Sequence, residues 1–105
     1  MKKQSIIIAE LSAELRRCFG QRLAQILLFG SRARGDAKAD SDYDVLVILR
    51  GEVNPQAERR LVGDVIYQLC WKHDAVILCH FIPVSRFEQE RSPFLLNVHR
   101  EGVAV

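Results

Sequence analysis

The pattern that most limits the fold of this chain lies between Tyr43 and Pro83. Tyr43 to Leu49 is apolar apart from Asp44 and is stopped by Arg50-Gly51, as expected of a buried strand. Asn54-Pro55 then supplies an N-cap followed by the residue best suited to the first helical position. Ala57, Leu61, Val62, Val65, Ile66 and Leu69 line one face of a helix reaching about Lys72. Ala75 to Ile82 reads as another strand, ended by Pro83. A strand–helix–strand unit of this kind closes as a right-handed crossover between parallel strands.

Upstream, residues 5–19 carry apolar side chains at three- and four-residue spacing and meet Gly20, the mark of an amphipathic helix with a glycine stop. Ala24 to Phe29 is a short buried strand. Residues 30–42 lack periodicity and form a loop, with one helical turn near Ser31. Ser85-Arg86-Phe87-Glu88 is a capping box for a short helix. Ser92-Pro93 opens another, closed by Gly102, and Val103 to Val105 either adds an edge strand or frays. The expected architecture is α/β (α+β): a mixed sheet of three to four strands covered by helices, in a single domain over residues 1–105. At 105 residues there is material for one core. Three cysteines, odd in number and without a Cys-x-x-Cys pair, fit buried thiols in a reducing cytoplasm. The apolar run Ile6 to Ala9 is too short for export or for a membrane span.

The loop carries the chemistry. Gly30 allows close backbone approach to a phosphate, and Ser31 adds a hydroxyl and an amide. Arg32 and Arg34 could add charge-assisted contacts. No Gly-Lys-Ser/Thr follows, so this is not a Walker A loop. Asp42 and Asp44 alternate along an extended segment and point to one face. If the first strand runs antiparallel to the others, Gly30-Ser31, Asp44 and Asp74 all reach the same edge of the sheet. Two like charges about 4 Å apart cost roughly 4 kcal/mol at an effective dielectric near 20. Three gathered carboxylates therefore need a cation or a proton. Oxygen ligands without clustered Cys or His favour Mg²⁺, with Mn²⁺ as an alternative. Two such ions would hold a triphosphate and an attacking hydroxyl in line.

Gly30-Ser31, ten intervening residues and Asp42-x-Asp44, with Ala33-Arg34-Gly35 between, resemble the DNA polymerase β-like nucleotidyltransferase superfamily. The short chain, with Ser92-Pro93-Phe94-Leu95 and Arg100-Glu101-Gly102 near its end, resembles the minimal nucleotidyltransferases (MNT). Tyr43 departs from the aliphatic residue more usual between the aspartates. The resemblance implies that Asp42 and Asp44 bind the metals and that Asp74 is a third carboxylate, shared with a metal and helping to deprotonate the acceptor. It implies that Gly30 and Ser31 hold the triphosphate of ATP. It also implies a HEPN-domain partner in a toxin–antitoxin pair, with AMP transferred to a tyrosine of the toxin.

Plainer readings stand beside these. Asp-x-Asp alone is usually a solvated turn, and the arginines could be solvated loop charges. Asp36 and Asp40 belong to the loop surface. Asp74 could simply start a strand. His73, His80 and His99 show no zinc spacing, although His73 adjoins Asp74. Trp71 is expected to be partly buried. A chain this small has few extra elements with which to hold a base or an acceptor, so a partner or a second copy should complete the site. One alternative is a catalytically silent antitoxin that neutralises its partner by occlusion. A DNA-binding regulator is the weaker third: the net charge of only +2 and the absence of helix-turn-helix spacing argue against nucleic acid.

Overall fold

The computed structural model describes residues 2–105. Helix α1 (Lys3–Phe19) buries Ile7, Leu11, Leu15 and Phe19, one residue per turn along a single stripe. Gly20 ends it at φ 55°, and a 3-10 turn, Gly20–Arg22, leads into β1 (Leu23–Phe29). A four-residue helix, α2 (Ser31–Arg34), precedes β2 (Tyr43–Leu49). Helix α3 (Pro55–His73) follows, capped by the Asn54 side chain, which accepts from the backbone N–H groups of Gln56 and Ala57. Strand β3 (Ile77–Pro83), helix α4 (Val84–Gln89), helix α5 (Pro93–Glu101) and strand β4 (Val103–Ala104) complete the chain.

The four strands form one mixed sheet in the order β3-β2-β1-β4. Strand β1 is antiparallel to β2 and β4, while β2 and β3 are parallel and joined through α3. The crossover and the antiparallel first strand both match the sequence reading. Strand β2 lies inside the sheet, and Val45 to Leu49 are all buried, which explains the unbroken apolar run. Its odd-numbered residues join Ile7, Leu11, Leu15, Val62 and Leu69 in the core beneath α1 and α3. Its even-numbered Leu46 and Ile48 join Leu95 and Val98 in a second core beneath α5. Asp44 shares that second face, at the end of the sheet where apolar packing stops.

Local details differ from the sequence reading. Strand β3 starts at Ile77 rather than Ala75, because Asp74 takes a left-handed conformation (φ 48°) to close α3, and the Ala75 amide still donates to the Cys70 carbonyl. The Ser85–Glu88 capping box does not form. The sheet continues to Pro83, which serves as the N-cap itself, so Ser85 falls inside α4. Ser92 does cap α5, its hydroxyl accepting from the Leu95 N–H at 3.3 Å. The last residues form a strand: Val103 and Ala104 pair with Leu28 and Leu27. Trp71 is 73% exposed, not partly buried, because it stands on the solvent side of α3 beside Tyr67. Among the described residues no helix is long and apolar enough to cross a membrane.

Candidate active site

Phe29 is paired with Asp44 across the β1–β2 ladder, so the chain leaving β1 turns directly over that carboxylate. Gly30 makes this turn at φ 72°, ψ −156°, a region essentially closed to other residues. A Cβ at Gly30 would lie 2.5 Å from Asp44 Oδ2. Glycine is needed here twice, for the backbone angle and for the space. Its carbonyl accepts from the amides of Ala33 and Arg34, which winds Ser31–Arg34 into a single turn. Gly35 closes that turn at φ 84°. Gly30, Ser31 and Asp44 thus form one compact corner.

Asp42 is exposed and stands one residue outside β2, while Asp44 is half-buried inside it. Burial pushes the Asp44 carboxyl up from its ordinary pKa, and the negative charge of Asp42 adds to the rise; His80 and Arg34 partly oppose it. The two carboxylates are therefore close enough to repel, and a cation between them would relieve both.

The other expected members go elsewhere. Asp74 precedes by four positions the residue opposite Asp44, which is Leu78. It lines a hollow of about 260 Å³ with Arg32, Asp40, Ser41 and Tyr43, on the side of the sheet that carries the Tyr43 ring. No three His, Cys, Asp or Glu side chains among the described residues are grouped so as to hold a metal ion. The expected triad of Asp42, Asp44 and Asp74 is thus reduced to the aspartate pair. The αL turn at the end of α3 separates position 74 from the strand on which it was placed.

Arg32 is also diverted. Its guanidinium donates to the carbonyls of Ser41 (2.8 Å) and Ala39 (3.3 Å) and lies 4.1 Å from the centre of the Tyr43 ring. That arrangement ties the loop to the strand and gives Tyr43 a structural role between the aspartates. Arg34 is held by Asp36 at 3.3 Å and Glu101 at 3.2 Å. Neither arginine offers a free guanidinium, although Arg34 still acts electrostatically on Asp44. His73, next to Asp74, is engaged by Glu10 at 2.8 Å and staples α3 to α1.

Residues that the sequence reading passed over lie nearer the aspartates. Strand alternation puts Leu78 and His80 on the face that carries Asp44. His80, Phe29 and Phe94 form an aromatic trio with ring centres 5.5–5.8 Å apart. Only the register of β3 against β2 exposes this neighbourhood. A period-two count from Asp44 across to β3 was the available signal, but it required the start of β3 to be known.

The aspartate pair, the Gly-Ser corner and the mixed sheet can be set beside known proteins. Over 94% of its length the chain is 28% identical to a candidate protein adenylyltransferase of Methanocaldococcus jannaschii, covering 95% of that relative. Among solved structures, a toxin–antitoxin crystal structure with AMP-PNP superimposes with a TM-score of 0.67 at 20% identity, over 91% of this chain and 69% of that one. A candidate minimal nucleotidyltransferase gives 0.63 at 23% identity, covering 100% of this chain and 97% of the other. These structural likenesses establish a shared fold. The profile of the nucleotidyltransferase domain matches residues 8–100, and the chain belongs to that family, in its polymerase-β-like form.

Proposed function

We propose that the chain transfers AMP from ATP to a hydroxyl of a protein partner, with a HEPN-type toxin tyrosine as the acceptor and neutralisation of that toxin as the outcome. The observation that carries this reading is the Gly30–Ser31 corner closed over Asp44, with Asp42 beside it. Gly30 leaves the backbone bare where a phosphate must approach. The Ser31 hydroxyl and amide then face the triphosphate as hydrogen-bond donors. Asp42 and Asp44 would hold a divalent ion, Mg²⁺ or Mn²⁺, by oxygen ligands alone. When bound, such an ion supplies charge neutralisation on the triphosphate. The acceptor oxygen attacks the α-phosphorus, the bond to the bridging oxygen of the β-phosphate breaks, pyrophosphate leaves with the electron pair, and the proton of the acceptor hydroxyl passes to solvent or to a basic group of the partner. Support for the nucleotide and the partner comes from the relatives: one is a candidate protein adenylyltransferase, and a neighbouring structure is a toxin–antitoxin with AMP-PNP.

The test is incubation with α-labelled ATP, a divalent ion and the protein encoded next to this chain. Label on that protein, lost with Asp42→Asn plus Asp44→Asn, is the expected result. No label, or label undiminished by the double substitution, refutes transfer. One observation favours a second reading, an antitoxin acting by occlusion: no third carboxylate joins the pair among the described residues. Full neutralisation by the double variant would select it.

A further inference from the structure

The two-ion chemistry implied by the family resemblance needs a third ligand beside Asp42 and Asp44, and the strand that should carry it is fully in register. Tyr43, Asp44 and Val45 pair with Ile77, Leu78 and Cys79. Neighbouring strands lie about 4.8 Å apart, so a side chain directly opposite Asp44 on the same face is within reach of a shared ion. That place is held by Leu78, which is 42% exposed. The next residues on that face are Val76 on one side, whose carbonyl accepts from the Tyr43 amide, and His80 on the other. Neither is a carboxylate, and neither joins the aspartates in a metal-holding group. On the opposite side of Asp44 the paired residue is Phe29. Directly across from Asp44 the residues on both adjoining strands are therefore apolar, Leu78 on one side and Phe29 on the other, with the imidazole of His80 one step further along β3.

From this we infer that the chain holds one divalent ion, not two, when nucleotide is bound, and that Leu78 occupies the position from which a second ion would have to be ligated. The inference rests on the nucleotide-binding reading above and refines it. With one ion carried by the aspartate pair and the triphosphate, no third carboxylate among the described residues joins the pair to take the proton of the attacking hydroxyl. The acceptor must then bring its own proton-accepting group, or transfer is slow and binding predominates.

The experiment counts manganese per chain by equilibrium dialysis and electron paramagnetic resonance, in saturating non-hydrolysable ATP analogue, with the analogue alone as control. The wild type is expected to show one Mn²⁺ per nucleotide-loaded chain and Leu78→Asp two, while Leu78→Asn, of similar shape without charge, stays at one. Leu78 is exposed enough for these changes to leave the core intact, and the wild-type count does not depend on them. Two ions on the wild type overturn the inference while leaving nucleotide binding in place. A single ion on Leu78→Asp overturns the assignment of that position. A chain that retains neither analogue nor manganese overturns both this inference and the proposed function.

Discussion

Replacing Gly30 by alanine perturbs the backbone and the carboxylate together, and the two effects can be separated. At φ 72°, ψ −156° an L-residue pays on the order of 1–3 kcal/mol for occupying a region nearly reserved for glycine. The added methyl would also lie 2.5 Å from Asp44 Oδ2, where ordinary contact begins at 3.4 Å, so the carboxylate has to swing away. For a domain of this size the backbone strain alone corresponds to a fall in Tm of roughly 4–24 °C. Chemical denaturation of Gly30→Ala, Asp44→Ala and the double variant forms a cycle. In the Asp44→Ala background the clash is gone and only the backbone cost remains, so the penalty there should be smaller. Nucleotide-analogue binding by Gly30→Ala should fall in parallel, since the moved carboxylate is the proposed ligand. A Gly30→Ala protein within about 0.5 kcal/mol of wild type would refute the strained corner. An equal cost in both backgrounds would refute the packing of Gly30 on Asp44.

Two further outcomes follow from the ionisable groups. Glu58 is buried and receives two hydrogen bonds from Arg22, at 2.7 and 3.0 Å, which hold its carboxyl below the ordinary range; its stabilisation is full above the unfolded pKa and lost as pH falls through the folded one. Because Arg22 is partly exposed, Arg22→Ala should cost only about 1–2 kcal/mol near neutrality, and urea titrations from pH 7 to pH 3 should show the difference from wild type shrinking on the acid side. Asp44 has the opposite sign: its carboxyl pKa is raised by burial and by Asp42, so without metal the folded state loses stability as pH rises from the ordinary aspartate value through the raised one. Asp44→Asn should therefore melt at or above the wild-type temperature at pH 7 in chelator, and a clear fall in Tm would contradict the electrostatic account of the site.

Much of the framework was legible because local chemistry and tertiary environment agreed. Strand β2 is buried on both faces, and its sequence says so; Asn54-Pro55 and Ser92-Pro93 open the helices expected of them. The failures came where a distant contact overrode the local signal. Asp74 looked like the first residue of a strand, but the backbone needed a left-handed stop for α3, and that turn carried the side chain away from Asp44. Arg32 could be read equally as a phosphate contact or a solvated loop charge, since nothing in the sequence reveals that its guanidinium will find two carbonyls and a tyrosine ring. Ser85 and Glu88 fit a capping motif, yet the preceding strand ran on to Pro83 and left no room for it. The Gly30–Ser31 and Asp42–Asp44 corner was readable because spacing and strand direction were enough to define it. Its neighbours on β3 were hidden behind an error of two residues in where that strand begins.

The two aspartates are mounted differently, and that difference has a mechanical meaning. Asp44 belongs to the ladder and is pinned from both adjoining strands, whereas Asp42 projects from the approach to it. Were a cation held between them, a change in its radius would be taken up at Asp42, outside the ladder, and not by the hydrogen-bonded strands that carry Asp44.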